Sequence, residues 1–152
     1  VNAFVPKPWT PLQWEPMEEI SSLRQKMTLL RKKLARLPRV KVDTESPREA
    51  YYQTLLSRGD RRVGQLLQDI QQHDGDWWRV VQRWRREAKR QPERLNPDLF
   101  VHRRYDSEEW LPWDFIDHGV NKHYLWVEWR KALLERETPP CDVTSCHSCA
   151  AC

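Results

Sequence analysis

From Met17 to Leu37 the apolar residues Met17, Ile20, Leu23, Met27, Leu30, Leu34 and Leu37 recur at spacings of three and four. A strand alternates every two residues and cannot place them on one side; a helix of about 3.6 residues per turn can. The spacing predicts a helix over Pro16–Leu37. Pro16 suits the first helical position, Glu18 and Glu19 complement the positive end of the dipole, and Pro38 stops the run. The opposite face carries Arg24, Lys26, Arg31, Lys32, Lys33 and Arg36, followed by Arg39 and Lys41, with no acid from Ser21 to Lys41.

Punctuation divides the rest of the chain. Val1–Val5 is a short apolar run and reads as a buried strand. Pro6, Pro8, Pro11 and Pro16 then impose an extended path past Trp9 and Trp14. Val40–Val42 suits a short strand. Ser46-Pro47-Arg48-Glu49 is a capping-box pattern, predicting a helix to about Arg58 that Gly59 stops. Asp60 is placed to cap a helix to about Gln72, and a Trp-rich helix follows over Trp77–Arg90. Asn96-Pro97 opens a short helix to about His102. Leu111–Gly119 reads as an irregular aromatic turn, and Asn121 caps a last helix to about Glu137, with Leu125, Trp129 and Leu133 on one side. Thr138-Pro139-Pro140 breaks it. The expected fold is mostly α, a small irregular helical domain over residues 16–137, with residues 1–15 as a separate entry segment and 138–152 as a Cys-rich tail.

Only 39% of the residues are hydrophobic, so the nine Trp must supply much of the burial. No run of about 18 apolar residues exists, so no membrane span is expected. Val1–Ile20 holds four prolines and no apolar secretory core. The chain begins with Val1 rather than Met, which reads as a fragment or a processed product. The basic run of 21–41 and a second over Arg79–Arg94 suit a solvated helix face, and also RNA phosphates with exposed Trp rings stacking on bases.

All four cysteines fall in the last twelve residues, as Cys141-x4-Cys146-x2-Cys149-x2-Cys152. A disulfide framework would distribute them along the chain. Clustered thiolates instead suit soft-metal ligation in a reducing, cytoplasmic setting. Zinc and an iron–sulfur cluster both accept four thiolates, and the spacing does not separate them. His147 lies inside the run as a further ligand candidate. Trp113-Asp114-Phe115-Ile116-Asp117-His118-Gly119 brings two carboxylates and a histidine together. With no nucleophile beside them they read as a turn network rather than acid–base machinery. Arg58-Gly59-Asp60 reads as a helix junction.

Three segments together resemble one family. Phe4-Val5-Pro6-Lys7-Pro8-Trp9-Thr10-Pro11-Leu12-Gln13-Trp14 is similar to the barrel-closing segment of B12-binding-domain radical SAM proteins. Ser57-Arg58-Gly59-Asp60-Arg61-Arg62 resembles a helix junction of the same proteins, and Leu111-Pro112-Trp113-Asp114-Phe115-Ile116-Asp117-His118-Gly119-Val120-Asn121-Lys122 resembles a third of their motifs. Trp9, Leu12 and Asn121 stand where that family usually has His, Phe and Ser. The resemblance implies a longer parent with a cobalamin-binding domain and a barrel binding S-adenosylmethionine and a [4Fe–4S] cluster. Residues 1–15 would then be the barrel's last strand and exit, and the rest of that polypeptide this chain's partner. The Cys-x3-Cys-x2-Cys run of the radical SAM cluster is absent here, so catalysis is not expected from this chain alone. Cys141, Cys146, Cys149 and Cys152 would hold an auxiliary cluster or zinc. The competing expectation is a basic, Trp-rich helical RNA-binding module.

Overall fold

The computed structural model describes residues 1–142, 144–146 and 149–150. Among the described residues six helices follow one another: α1 (Ile20–Leu34), α2 (Pro47–Arg58), α3 (Val63–Gln71), α4 (Trp77–Arg90), α5 (Asp98–Val101) and α6 (Lys122–Leu133). Among the described residues there is no strand, so the fold is mostly α as expected, and both short strands are corrected. Val1–Val5 is coil among the described residues, with no strand for it to pair with; Ala3 and Val5 lie against the core while Phe4 is exposed. Val40–Val42 is likewise coil.

Two apolar clusters organise the molecule. The larger gathers Met17, Leu23, Tyr51, Leu55, Leu66, Val80, Val81, Phe100 and Val101, drawing on α1 to α5. α1 and α5 pack on α2, and α3 packs on α4. The second gathers Trp14, Tyr105, Leu111, Trp113, Leu125 and Trp129, and ties the proline-rich entry to α6. Eight of the nine Trp belong to or pack on these clusters; Trp110 alone is exposed, at 78%.

Helix ends follow local chemistry where no distant partner intervenes. α2 and α4 span the expected residues, and Asp76 caps α4 by accepting from the Arg79 amide at 3.1 Å. Gly59 ends α2 in extended backbone rather than the left-handed form. Space explains the glycine: a Cβ there would lie 2.3 Å from Val63 Cγ2 and 2.7 Å from the Leu55 carbonyl oxygen. Elsewhere tertiary bonds reset the ends. α1 starts at Ile20 rather than Pro16 because the Met17 amide donates to the Val101 carbonyl at 2.9 Å. It ends at Leu34, before Pro38, in turns leading to Arg39 at φ +64°. Ser46 makes no side-chain cap, and Asp60 accepts from the Arg62 amide at 2.8 Å, closing a turn ahead of α3. α6 stops at Leu133, short of Glu137, and Leu133 is exposed rather than packed.

Candidate metal centre at the start of the last helix

Asn121 caps α6, its side-chain oxygen accepting from the His123 amide at 2.8 Å. Its own backbone N–H donates to the Cys149 carbonyl at 2.8 Å, which fastens the tail over the helix's first turn. A second clamp holds the start of the tail. Lys131 Nζ donates to Glu128 Oε1 at 2.7 Å and to Thr138 Oγ1 at 3.4 Å, and the Thr138 hydroxyl donates to the other Glu128 oxygen. Glu128 is held below the usual carboxylate range, first by Lys131 and then by Thr138.

Between these clamps the chain turns on Asp142. Its carboxylate accepts from the Ser145 hydroxyl at 2.6 Å, the Thr144 hydroxyl at 2.6 Å and the Thr144 amide at 3.0 Å. The Ser145 bond is the largest influence, followed by those of Thr144, and together they lower the carboxyl to about 2. The Cys146 amide closes the turn by donating to the Asp142 carbonyl at 2.8 Å.

The result is a cavity of about 440 Å³ into which Cys141, Cys146 and Cys149 face, walled by Tyr124, Val127, Lys131 and Pro140. The first turn of α6 borders it through Asn121, His123 and Tyr124. The Tyr124 hydroxyl is pushed up, chiefly by burial, then by the negative charge of Glu128 and Cys149. Among the described residues no group of three or more His, Cys, Asp or Glu is already arranged as a metal shell. Cys152 and His147 lie outside the described residues.

The second constellation is a turn network. Asp114 Oδ2 accepts from the Leu111 amide at 2.8 Å and from Lys122 Nζ at 2.5 Å, and the same ammonium reaches the Glu109 carbonyl at 3.0 Å. Asp117 accepts from the Gly119 amide at 2.9 Å, while the His118 ring packs edge-on against Trp9 at 4.0 Å. Each group seats the loop that delivers α6.

Two residues of structural weight escaped the sequence reading. Gln13 is fully buried; its Oε1 accepts from the Trp9 amide at 3.0 Å and from Trp113 Nε1 at 2.7 Å. Arg58 is also fully buried, donating to the carbonyls of Val101 at 3.2 Å and Arg103 at 2.9 Å. Neither has a local signature, because each partner lies at least 43 residues away except Trp9.

No protein-family model, curated protein or solved structure matches the chain.

Proposed function

We propose that this chain is the C-terminal accessory region of a radical SAM protein and that its tail is a thiolate metal site. One observation carries the metal reading: three cysteines from the tail line one cavity over the first turn of α6, with the tail fastened at Asn121 and at Glu128–Lys131. Cys141, Cys146 and Cys149 would be ligands, with Cys152 as the fourth. The radical SAM reading rests on the resemblance of residues 4–14, 57–62 and 111–122.

The residues fit a soft metal. Thiolates are soft ligands, and a partly apolar wall limits water's access to a metal bound among them. Bound zinc would supply folding energy to the tail, and a bound iron–sulfur cluster would supply an electron relay. The chain's own residues do the positioning. Asn121 fixes the Cys149 backbone, the Asp142 turn holds the Cys146 backbone at the cavity that Cys141 also lines, and Lys131 offsets local negative charge. In this reading S-adenosylmethionine, cobalamin and the radical [4Fe–4S] cluster belong to the parent polypeptide, and this chain supports rather than catalyses.

The test is anaerobic purification and reconstitution of the full chain, with iron, sulfide and zinc analysis. About one zinc per chain, or iron with matching sulfide and thiolate charge-transfer absorption, supports the site and names its occupant. A chain that stays metal-free while its four thiols remain reduced and titratable overturns it.

A further inference from the structure

Beyond Met27 no residue of α1 is buried, so its second half stands off the larger cluster. Projected at about 3.6 residues per turn, exposed Lys32 and Arg36 lie opposite Leu23 and Met27, and exposed Arg24, Arg31 and Lys33 flank that apolar stripe. Arg39 and Lys41 extend the positive surface through the exposed turn that follows. Among the described residues, Arg24, Lys32, Lys33, Arg36 and Arg39 have no carboxylate partner. The basic run of α4 is more diluted: Arg83 pairs with Asp69 and Arg85 with Asp98, and Glu87 lies among Arg79, Arg86, Lys89 and Arg90, its cations unpaired among the described residues, whereas no acid interrupts residues 21–41. A helix that keeps adjacent like charges unneutralised carries a standing repulsion that a polyanion would relieve.

We propose that the projecting half of α1 and the turn to Lys41 form a binding arm for the phosphate backbone of RNA. The geometry favours this occupant over an anionic membrane. An interfacial helix buries a long apolar stripe in the lipid, but here Leu23 and Met27 are committed to the core and only Leu30, Leu34 and Leu37 continue the stripe along the arm. The cations instead surround the exposed flanks and back of the helix, which suits a strand of closely spaced phosphates. Base stacking on Trp has no part in it. Eight Trp pack within the clusters, and exposed Trp110 sits beside Glu108 and Glu109, where phosphate is repelled. Recognition is therefore electrostatic and indifferent to base sequence. It is independent of the cysteine tail.

The test is fluorescence anisotropy of the full chain with a labelled oligouridylate between 50 and 200 mM KCl. For four to five phosphate contacts at roughly 0.7 per contact, log affinity falls with log salt at a slope of about −3, on the order of 60-fold over that range. The combined variant Lys32→Gln, Lys33→Gln, Arg36→Gln changes only exposed side chains, and circular dichroism verifies its helices. It should lose about two units of that slope and roughly tenfold or more in affinity at 50 mM. The charge-matched variant Arg86→Gln, Lys89→Gln, Arg90→Gln should lose clearly less. Absence of binding at 50 mM, a salt-independent affinity, or equal losses in the two variants would each overturn the proposal. So would arm-dependent binding to phosphatidylserine vesicles that exceeds binding to RNA.

Discussion

The guanidinium of Arg58 lies 4.0 Å from the centre of the Tyr105 ring, while the Tyr105 hydroxyl donates back to the Arg58 carbonyl at 3.1 Å. The two residues lock the end of α2 onto the segment that follows α5. Arg103 also approaches the Tyr105 ring, at 4.4 Å, and is itself held by both oxygens of Glu109 at 2.8 and 2.6 Å. Arg58 has no carboxylate of its own among the described residues; burial lowers its guanidinium to about 10. Two backbone carbonyls and an aromatic face stand in place of a counter-ion, a workable but demanding way to keep a cation inside.

Arg58→Met should destabilise the fold by about 2 kcal/mol, because the Arg103 carbonyl loses its donor and the Val101 carbonyl keeps only the Met17 amide. Tyr105→Phe removes one hydrogen bond and should cost about 1 kcal/mol. Urea unfolding followed by far-UV circular dichroism measures both. Equal small effects would mean that Arg58 is incidental to the junction.

Gly59 and Gly64 form a matched pair. Gly59→Ala drives a Cβ against Val63 and the Leu55 carbonyl and should cost about 2 kcal/mol. Gly64 sits in α3 with nothing within 4 Å of its added Cβ. Gly64→Ala should stabilise by about 0.5–1 kcal/mol, the helical preference of alanine over glycine. The two midpoints should move in opposite directions.

Gln13 joins the entry segment to the 111–119 loop. Gln13→Leu leaves the Trp9 amide and the Trp113 indole N–H without their acceptor and should destabilise by about 2–3 kcal/mol. Trp9 holds a left-handed backbone at φ +54°, which a bulky residue adopts only when its surroundings enforce it. Loss of the Gln13 acceptor should release that constraint, shifting tryptophan emission to the red before global unfolding.

The α3–α4 pair should weaken in acid. Asp69 accepts from Arg83 and, at 2.6 Å, from Trp84 Nε1, and these bonds hold its carboxyl below the ordinary value of 3.8, Arg83 contributing most. A carboxyl with a lower pKa folded than unfolded stabilises fully above pH 3.8 and loses that contribution as pH falls through the folded value. Asp69→Asn should therefore be less stable at pH 6 and show a flatter decline below pH 4. Thermal melts across that range would reveal parallel curves if the pairing were unimportant.

Removal of metal should act locally. In the proposed site, chelation or Cys146→Ser should free the tail from α6 while leaving the larger cluster of α1 to α5 folded. Amide exchange at Asn121 should accelerate as its bond to the Cys149 carbonyl is lost. Unchanged exchange at Asn121 after complete stripping would separate the tail's fastening from metal binding.

The sequence by itself determined the helices whose periodicity and punctuation agree: α2 between Pro47 and Gly59, α4 from its Asp76 cap to Arg90, and the start of α6 at Asn121. These are local decisions, made by bonds and steric clashes within a few residues. It also gathered the cysteines in one tail, through spacing alone. The tertiary structure decided which faces are covered. The stripe of α1 is continuous from Ile20 to Leu34, yet Leu23 is buried and Leu30 is exposed, because the core ends beneath Met27. Likewise Arg58 reads as a surface charge until Val101, Arg103 and Tyr105 close around it. Periodicity encodes which side of a helix is apolar. What covers that side depends on residues far along the chain, and only their packing settles it.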